Sequence, residues 1–151
     1  EAAACRRAGI AVEVVPGITS AIAVPAAAGI PVTHRGLSRG FSVITAHADL
    51  GVLPQRRDHT LILLMGVSRL RDSVTSLLEA GSDPATPAAI IERGYHPDQR
   101  VTTTELRCLA DVAARYGVTA PAVILIGDVV TLSPYWADRV VEEARPANPA
   151  A

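Results

Sequence analysis

"TLILLMGVSRLRDSVTSLLEAG", residues 60–81, changes its period halfway along. Residues 60–65 form an unbroken apolar run, the signature of a strand buried on both faces. Gly66 turns the chain. Ser68 is placed to cap a helix in which Leu70, Val74, Leu77 and Leu78 share one face. Gly81 and Pro84 supply the stop. A doubly buried strand followed by a one-sided helix predicts an α/β layered fold.

Reading outward from this unit extends the alternation. Downstream, "PAAIIER" (87–93) is a strand and 94–99 a loop. "RVTTTEL" (100–106) alternates and is rich in threonine, which suits an edge or half-exposed strand. A helix over 107–116 ends at Gly117, and "PAVILIGDVV" (121–130) is a last strand. "SPYWADRVVEEA" (133–144) predicts a terminal helix with Ser133 as N-cap and Pro134 at its first position. Upstream, 41–47 is a strand and 48–58 an exposed loop. "IAVEVV" (10–15) predicts a further strand that breaks at Pro16-Gly17. A helix of small residues then runs to Gly29, with a bend or a break expected at Pro25. Residues 1–8 are a short helix closed by Gly9. The sum is one α/β domain over 1–144, a mixed sheet of about five strands flanked by helices, with 145–151 expected as a disordered tail.

Composition narrows the class. Apolar residues make up 49% but aromatic ones only 3%, so Ala, Val, Leu and Ile must build the core. The net charge of −1 offers no basic field, which argues against nucleic acid as a partner. Apolar runs fall short of the roughly 18 residues of a membrane span. No leader peptide is legible, so a cytoplasmic location is expected. Cys5 and Cys108 stand far apart, and four histidines lack metal-binding spacing, so no metal is expected. "EAAACRRAG" (1–9) reads as the tail of a helix without a start, as in a piece of a longer chain.

The chemistry-bearing positions gather at strand ends, where ligands of open α/β sheets bind. The strand at 15 runs into Pro-Gly-Ile-Thr-Ser, the strand at 65 ends in Met-Gly, and the strand at 93 ends in Gly-Tyr. Thr19 and Ser20 suit helix capping as readily as ligand contact. Met65, the single methionine, suits core filling as readily as a lid over a flat ring. "GLSRG" (36–40) matches the G-x-S-x-G pattern of hydrolases but lacks the preceding strand and following helix that an elbow needs. His34, Arg35 and Arg39 make a small basic cluster beside the strand ends, a solvated loop or a fork for carboxylates. Neither G-x-G-x-x-G nor a Walker loop occurs.

Together, "VEVVPGITSAIAVPAAAGIPVTHRG" (12–36), "TLILLMGV" (60–67), "AAIIERG" (88–94) with Gln99-Arg100, and "PAVILIGDVV" (121–130) resemble the second domain of tetrapyrrole methylases. The resemblance covers residues 1 to about 140. It implies the two-domain fold of that family, with this chain as its C-terminal domain and the N-terminal domain outside the sequence. It also implies S-adenosyl-L-methionine as cofactor, a homodimer, and the missing N-terminal domain as partner. "PVTHRG" (31–36) favours the branch that methylates uroporphyrinogen III to precorrin-2 on the sirohaem and cobalamin routes. Other branches, such as precorrin methylases, and a non-catalytic binding or dimerisation domain are the alternatives. By similarity, Thr19, Ser20, Met65, Gly94 and Ala122 would line the cofactor site, and Arg35 and Arg39 would meet substrate carboxylates. Where the family often carries threonine after the glycine, this chain has Tyr95. The family's glycine-rich loop and acidic residue belong to the first domain, so the 151-residue chain by itself is expected to be inactive, and no catalytic residue is assigned.

Overall fold

The computed structural model describes residues 1–46, 50–53 and 56–141. Five strands form one mixed sheet: β1 (Gly40–Thr45), β2 (His59–Leu64), β3 (Pro87–Glu92), β4 (Arg100–Glu105) and β5 (Ala122–Ile126), in the order β1-β2-β5-β3-β4. β1 and β2 are parallel, and β5 runs antiparallel to both β2 and β3. β3 therefore points the same way as β1 and β2. Their carboxyl ends, Thr45, Leu64 and Glu92, share an edge with Ala122 at the start of β5.

The central strands are covered on both sides, as the uninterrupted apolar runs require, while Phe41 and Val43 of the edge strand β1 are exposed. On one face Leu61, Leu63, Ala88, Ile90, Ile124 and Ile126 pack under α3 (Leu70–Glu79) and α4 (Leu109–Arg115). Leu70, Val74 and Leu77 of α3 are buried there, each contributing about 1.5–3 kcal/mol through burial. On the other face Ile62, Ala89, Ile91, Val123 and Leu125 meet α2 (Ser20–Ala27). Alanines let α2 lie close to the sheet: Ala21 and Ala28 are almost fully enclosed. Pro25 is accommodated inside α2, and Gly29, at φ 69°, ends it. A short α1 (Ala2–Arg7) precedes all of this, closed by Gly9 at φ 73°.

Several expectations fail, each for a local reason. The last strand, expected over 121–130, stops at Ile126: Gly127, at φ 149°, turns the chain into a 3-10 helix, Asp128–Leu132. Residues 10–15 form no strand. Val14 and Val15 are 69% and 81% exposed, because among the described residues no strand edge lies beside them to satisfy their backbone. Ser68 does not cap α3. Met65, at φ 54°, sends the chain into a 3-10 turn, Val67–Arg69, and the α-helix starts only at Leu70 without a side-chain cap. The terminal helix reduces to one 3-10 turn, Pro134–Trp136, although Ser133 does accept from the Tyr135 N–H at 3.4 Å. The chain beyond that turn is drawn to the outer edge of β4: the Val140 N–H donates to Thr103 O at 2.9 Å, and the Thr104 hydroxyl donates to Val140 O at 2.6 Å. β4 is the edge strand that its pattern suited, with Thr102, Thr103 and Thr104 buried and the Thr103 hydroxyl donating to Tyr135 O at 2.8 Å. The expectations for His47, for parts of the 48–58 loop and for the chain from residue 142 lie outside the described residues.

Candidate functional site

An open cleft of about 1130 Å³ lies along the carboxyl ends of β2 and β3 and the start of β5. Its size lies just above the range of ordinary small-molecule sites, about 300–1,000 Å³, and its walls are mainly apolar, as such sites are. Leu64 and Met65 come from the end of β2, Ile91, Arg93 and Gly94 from the end of β3, Ser20 and Val24 from α2, and residues 118–123 from the start of β5. Four of the five cofactor residues expected from sequence, Ser20, Met65, Gly94 and Ala122, thus share one cavity. The fifth, Thr19, is the N-cap of α2, where its hydroxyl accepts from the Ala21 N–H at 3.3 Å.

The backbone here is unusual. Met65, Arg93 and Tyr95 have φ of 54°, 48° and 66°, and no other described non-glycine residue has a positive φ. Each such residue costs about 1 kcal/mol or more. Conformations of this kind concentrate where a site dictates the geometry. Gly94 is required for another reason. A β-carbon there would sit 2.7 Å from both methyls of Val24, so glycine lets α2 close against the end of β3.

The charged groups here are few and paired with one another or with the loop. Arg93 pairs with Asp98 at 2.7 Å, and the His96 ring with Asp98 at 3.0 Å. Partial desolvation pushes the Asp98 carboxyl up, but the His96 hydrogen bond and the Arg93 charge outweigh it and hold it below the usual range. Gln99 ties the loop to α2 by donating to Ala27 O at 3.3 Å and accepting from the Tyr95 N–H at 2.9 Å. Behind the wall sits Glu92, fully buried, against Arg100 at 2.5 Å. Sequence reasoning passed over Arg93, His96, Glu92 and residues 118–121. The one available signal was a glutamate closing an otherwise apolar strand.

Arg35 and Arg39 are not brought to this cleft. Arg39 precedes β1, and its N–H donates to Asp58 O at 2.9 Å, at the opposite edge of the sheet. The six residues of β2 put that edge roughly 20 Å from Met65. Arg35 belongs to the His34–Ser38 turn at the same edge, where Ser38 contacts the Thr60 hydroxyl at 2.8 Å. The sequence set both arginines beside the strand ends, but β1 carries the chain from one edge to the other. The same contact disposes of the hydrolase pattern: Ser38 is buried and held between Thr60 and Gly40 O. Among the described residues no cluster of His, Cys, Asp or Glu is arranged for a metal ion, and no helix is long and apolar enough to cross a membrane.

Comparison with known proteins is consistent across methods. The family model described as Tetrapyrrole (Corrin/Porphyrin) Methylases matches residues 1–110. A Methanosarcina barkeri protein named S-adenosyl-L-methionine-dependent uroporphyrinogen III methyltransferase is 46% identical, over 80% of this chain and 50% of its own length. A Xylella fastidiosa siroheme synthase is 43% identical, over 83% of this chain and 28% of its own. The crystal structure of a Thermus thermophilus uroporphyrin-III C-methyl transferase complexed with S-adenyl homocysteine superposes with a TM-score of 0.71 at 37% identity, covering 83% of this chain and 54% of that one. The chain spans about half the length, or less, of the curated relatives it matches.

Proposed function

This chain belongs to the tetrapyrrole methylase family, and from that premise we propose that it is the C-terminal domain of a methyltransferase that uses S-adenosyl-L-methionine to methylate uroporphyrinogen III, giving precorrin-2. The observation that carries this reading is the convergence of Ser20, Met65, Gly94 and Ala122 on one cleft at the carboxyl edge of the sheet. The cleft fits the cofactor in size and in its apolar walls with few polar groups. When bound, the cofactor supplies an activated methyl group on a sulfonium.

What this chain's residues do is bind and orient. Met65 and Val67 offer apolar surface at the end of β2, and Gly94 and Ala122 bring backbone to the cavity without bulk. Ser20, at the start of α2, presents a hydroxyl. Apolar walls exclude water, and the reaction asks mainly for alignment of two partners. No residue of this chain needs to act as a nucleophile.

The exposed apolar segment, with Ile10 58% and Ile18 87% accessible, supports a further part of the reading. Such a run is the surface another unit would cover. An N-terminal domain of the same polypeptide packs there and closes the cleft, so the 151-residue chain by itself is catalytically silent. A homodimer is part of the same proposal by analogy with the family, as is contact of Arg35 and Arg39 with substrate carboxylates from outside the cleft. The test is methyl transfer. The native polypeptide, given methyl-labelled S-adenosyl-L-methionine and uroporphyrinogen III, should put label into the tetrapyrrole, and the chain of residues 1–151 should not. Failure of the native polypeptide to label uroporphyrinogen III overturns the reading.

A further inference from the structure

We propose that Glu92 is a positioning residue for the ligand of the cleft, acting through the chain segment 117–121 that walls it; this rests on the reading of the cleft as an S-adenosyl-L-methionine site. Glu92 closes β3 after Ala88, Ala89, Ile90 and Ile91, all fully buried, and is itself fully buried. It is not among the residues that line the cavity. Its carboxylate accepts from Arg100 Nε at 2.5 Å and from the Thr119 N–H at 3.0 Å, with Arg93 Nη1 at 3.7 Å.

The neighbours of Glu92 grip the same segment. The Arg93 N–H donates to Pro121 O at 3.0 Å, and Arg100 Nη2 donates to Gly117 O at 3.4 Å. Three contacts thus fasten 117–121 at its two ends and its middle, all from Glu92, the residue after it and its ion-pair partner. Val118 to Pro121 form the wall of the cleft.

Packing alone does not explain a carboxylate here. Enclosing a charge is costly, and an apolar side chain of similar volume fills space at least as well. What the carboxylate adds is direction: a charge-assisted bond to one backbone N–H. Burial pushes the Glu92 carboxyl up, but the Arg100 and Thr119 hydrogen bonds and the arginine charges more than offset this and hold it below the ordinary value. It is therefore ionised at neutral pH. Arg100 and Arg93 keep 39% and 29% of their side-chain surface, so water can hydrate them if the partner charge is removed, and Glu92→Gln should fold.

The experiment uses the native full-length polypeptide, S-adenosylhomocysteine as probe, calorimetry for affinity and amide hydrogen exchange for the wall. In Glu92→Gln, Kd should rise at least tenfold and the Thr119 amide should exchange at least tenfold faster, with the Ile62 and Ile124 amides of β2 and β5 unchanged. Glu92→Leu, which also lacks the acceptor oxygen, should lose more affinity than Glu92→Gln. A purely structural role would move the β2 and β5 amides too and leave no such order. Wild-type Kd in Glu92→Gln overturns the proposal and leaves the cofactor reading standing. Wild-type protein that does not bind the probe overturns both. Should Glu92→Gln not fold, the wild-type Thr119 amide decides: protection comparable to β5 supports the proposal, and exchange at open-loop rates overturns it.

Discussion

The two edges of this sheet are built on different principles. At the edge where β1 and β2 begin, charge ties the loops together. Arg57 bridges Asp83 at 2.6 Å and Asp128 at 2.5 Å, and Arg56 holds Asp58 at 2.8 Å. A cavity there is small, about 120 Å³. At the edge where β1, β2 and β3 end, the chain turns through three strained residues, the walls are apolar, and the cavity is nearly ten times larger. One edge is closed by exposed ion pairs of small individual worth. The other is held open by backbone geometry and one buried carboxylate. Among the described residues such strain lies at the open edge and not at the closed one, the pattern expected where a ligand, not stability, sets the shape.

The largest expected effect comes from breaking both edges at once. Leu63 is fully buried in β2, which joins them. Leu63→Asp encloses an unpaired charge and should cost several kcal/mol, lowering Tm by roughly 10 °C or more. A variant that melts within about 2 °C of the parent would show that β2 is not the shared support.

The next effect sharpens the account of the open edge. Gly94→Ala drives a β-carbon against Val24 and should destabilise by about 1–3 kcal/mol through overpacking. Adding Val24→Ala should recover most of that loss in thermal melts. If the double variant regains stability but not affinity for S-adenosylhomocysteine, Gly94 also lies against the ligand. If stability does not return, the clash with Val24 is not the reason for glycine.

Acid should loosen the open edge through Glu92. Because its folded value lies below the ordinary one, its contribution is present above about pH 4.3 and is lost as pH falls through the folded value. Proteolysis mapped against pH should find 117–121 cut more readily as pH falls through that lower folded value in the wild type, with no such pH dependence of this segment in Glu92→Gln. The smallest effects belong to the closed edge. Arg57→Ala should cost no more than about 1 kcal/mol and leave ligand affinity unchanged. Arg35→Ala should likewise leave cofactor affinity unchanged. Under the proposal for substrate carboxylates it raises the KM for uroporphyrinogen III, and an unchanged KM returns Arg35 to a solvated turn.

The contrast between edges also marks what the sequence could reveal. Apolar runs read true for the existence of β2, β3 and β5, because burial on both faces leaves no other pattern, though β5 stops at Ile126 and not at residue 130; one-sided periodicity did the same for α3. The convergence of Met65, Gly94 and Ala122 was legible because strand direction fixes which ends meet, whereas Ser20, expected after a strand that does not form, came from the family resemblance and reaches the cleft from the start of α2. Residues 10–15 misled because a strand needs an edge as well as a pattern. The C-terminal segment misled because a good N-cap at Ser133 competes with the open edge of β4. Arg35 and Arg39 lie next to the site in sequence and a strand's length away in space. Glu92 was missed because its worth lies in Thr119, Arg93 and Arg100, contacts that no local pattern encodes.

The central claim is that the ligand occupies the open edge and not the closed one. Amide chemical-shift mapping of the native polypeptide on adding S-adenosylhomocysteine tests it most directly. Shifts should concentrate at Ser20, Met65, Gly94 and Ala122 and spare His59, Asp83 and Asp128. Shifts centred on the second group, or none at saturating ligand, would contradict it.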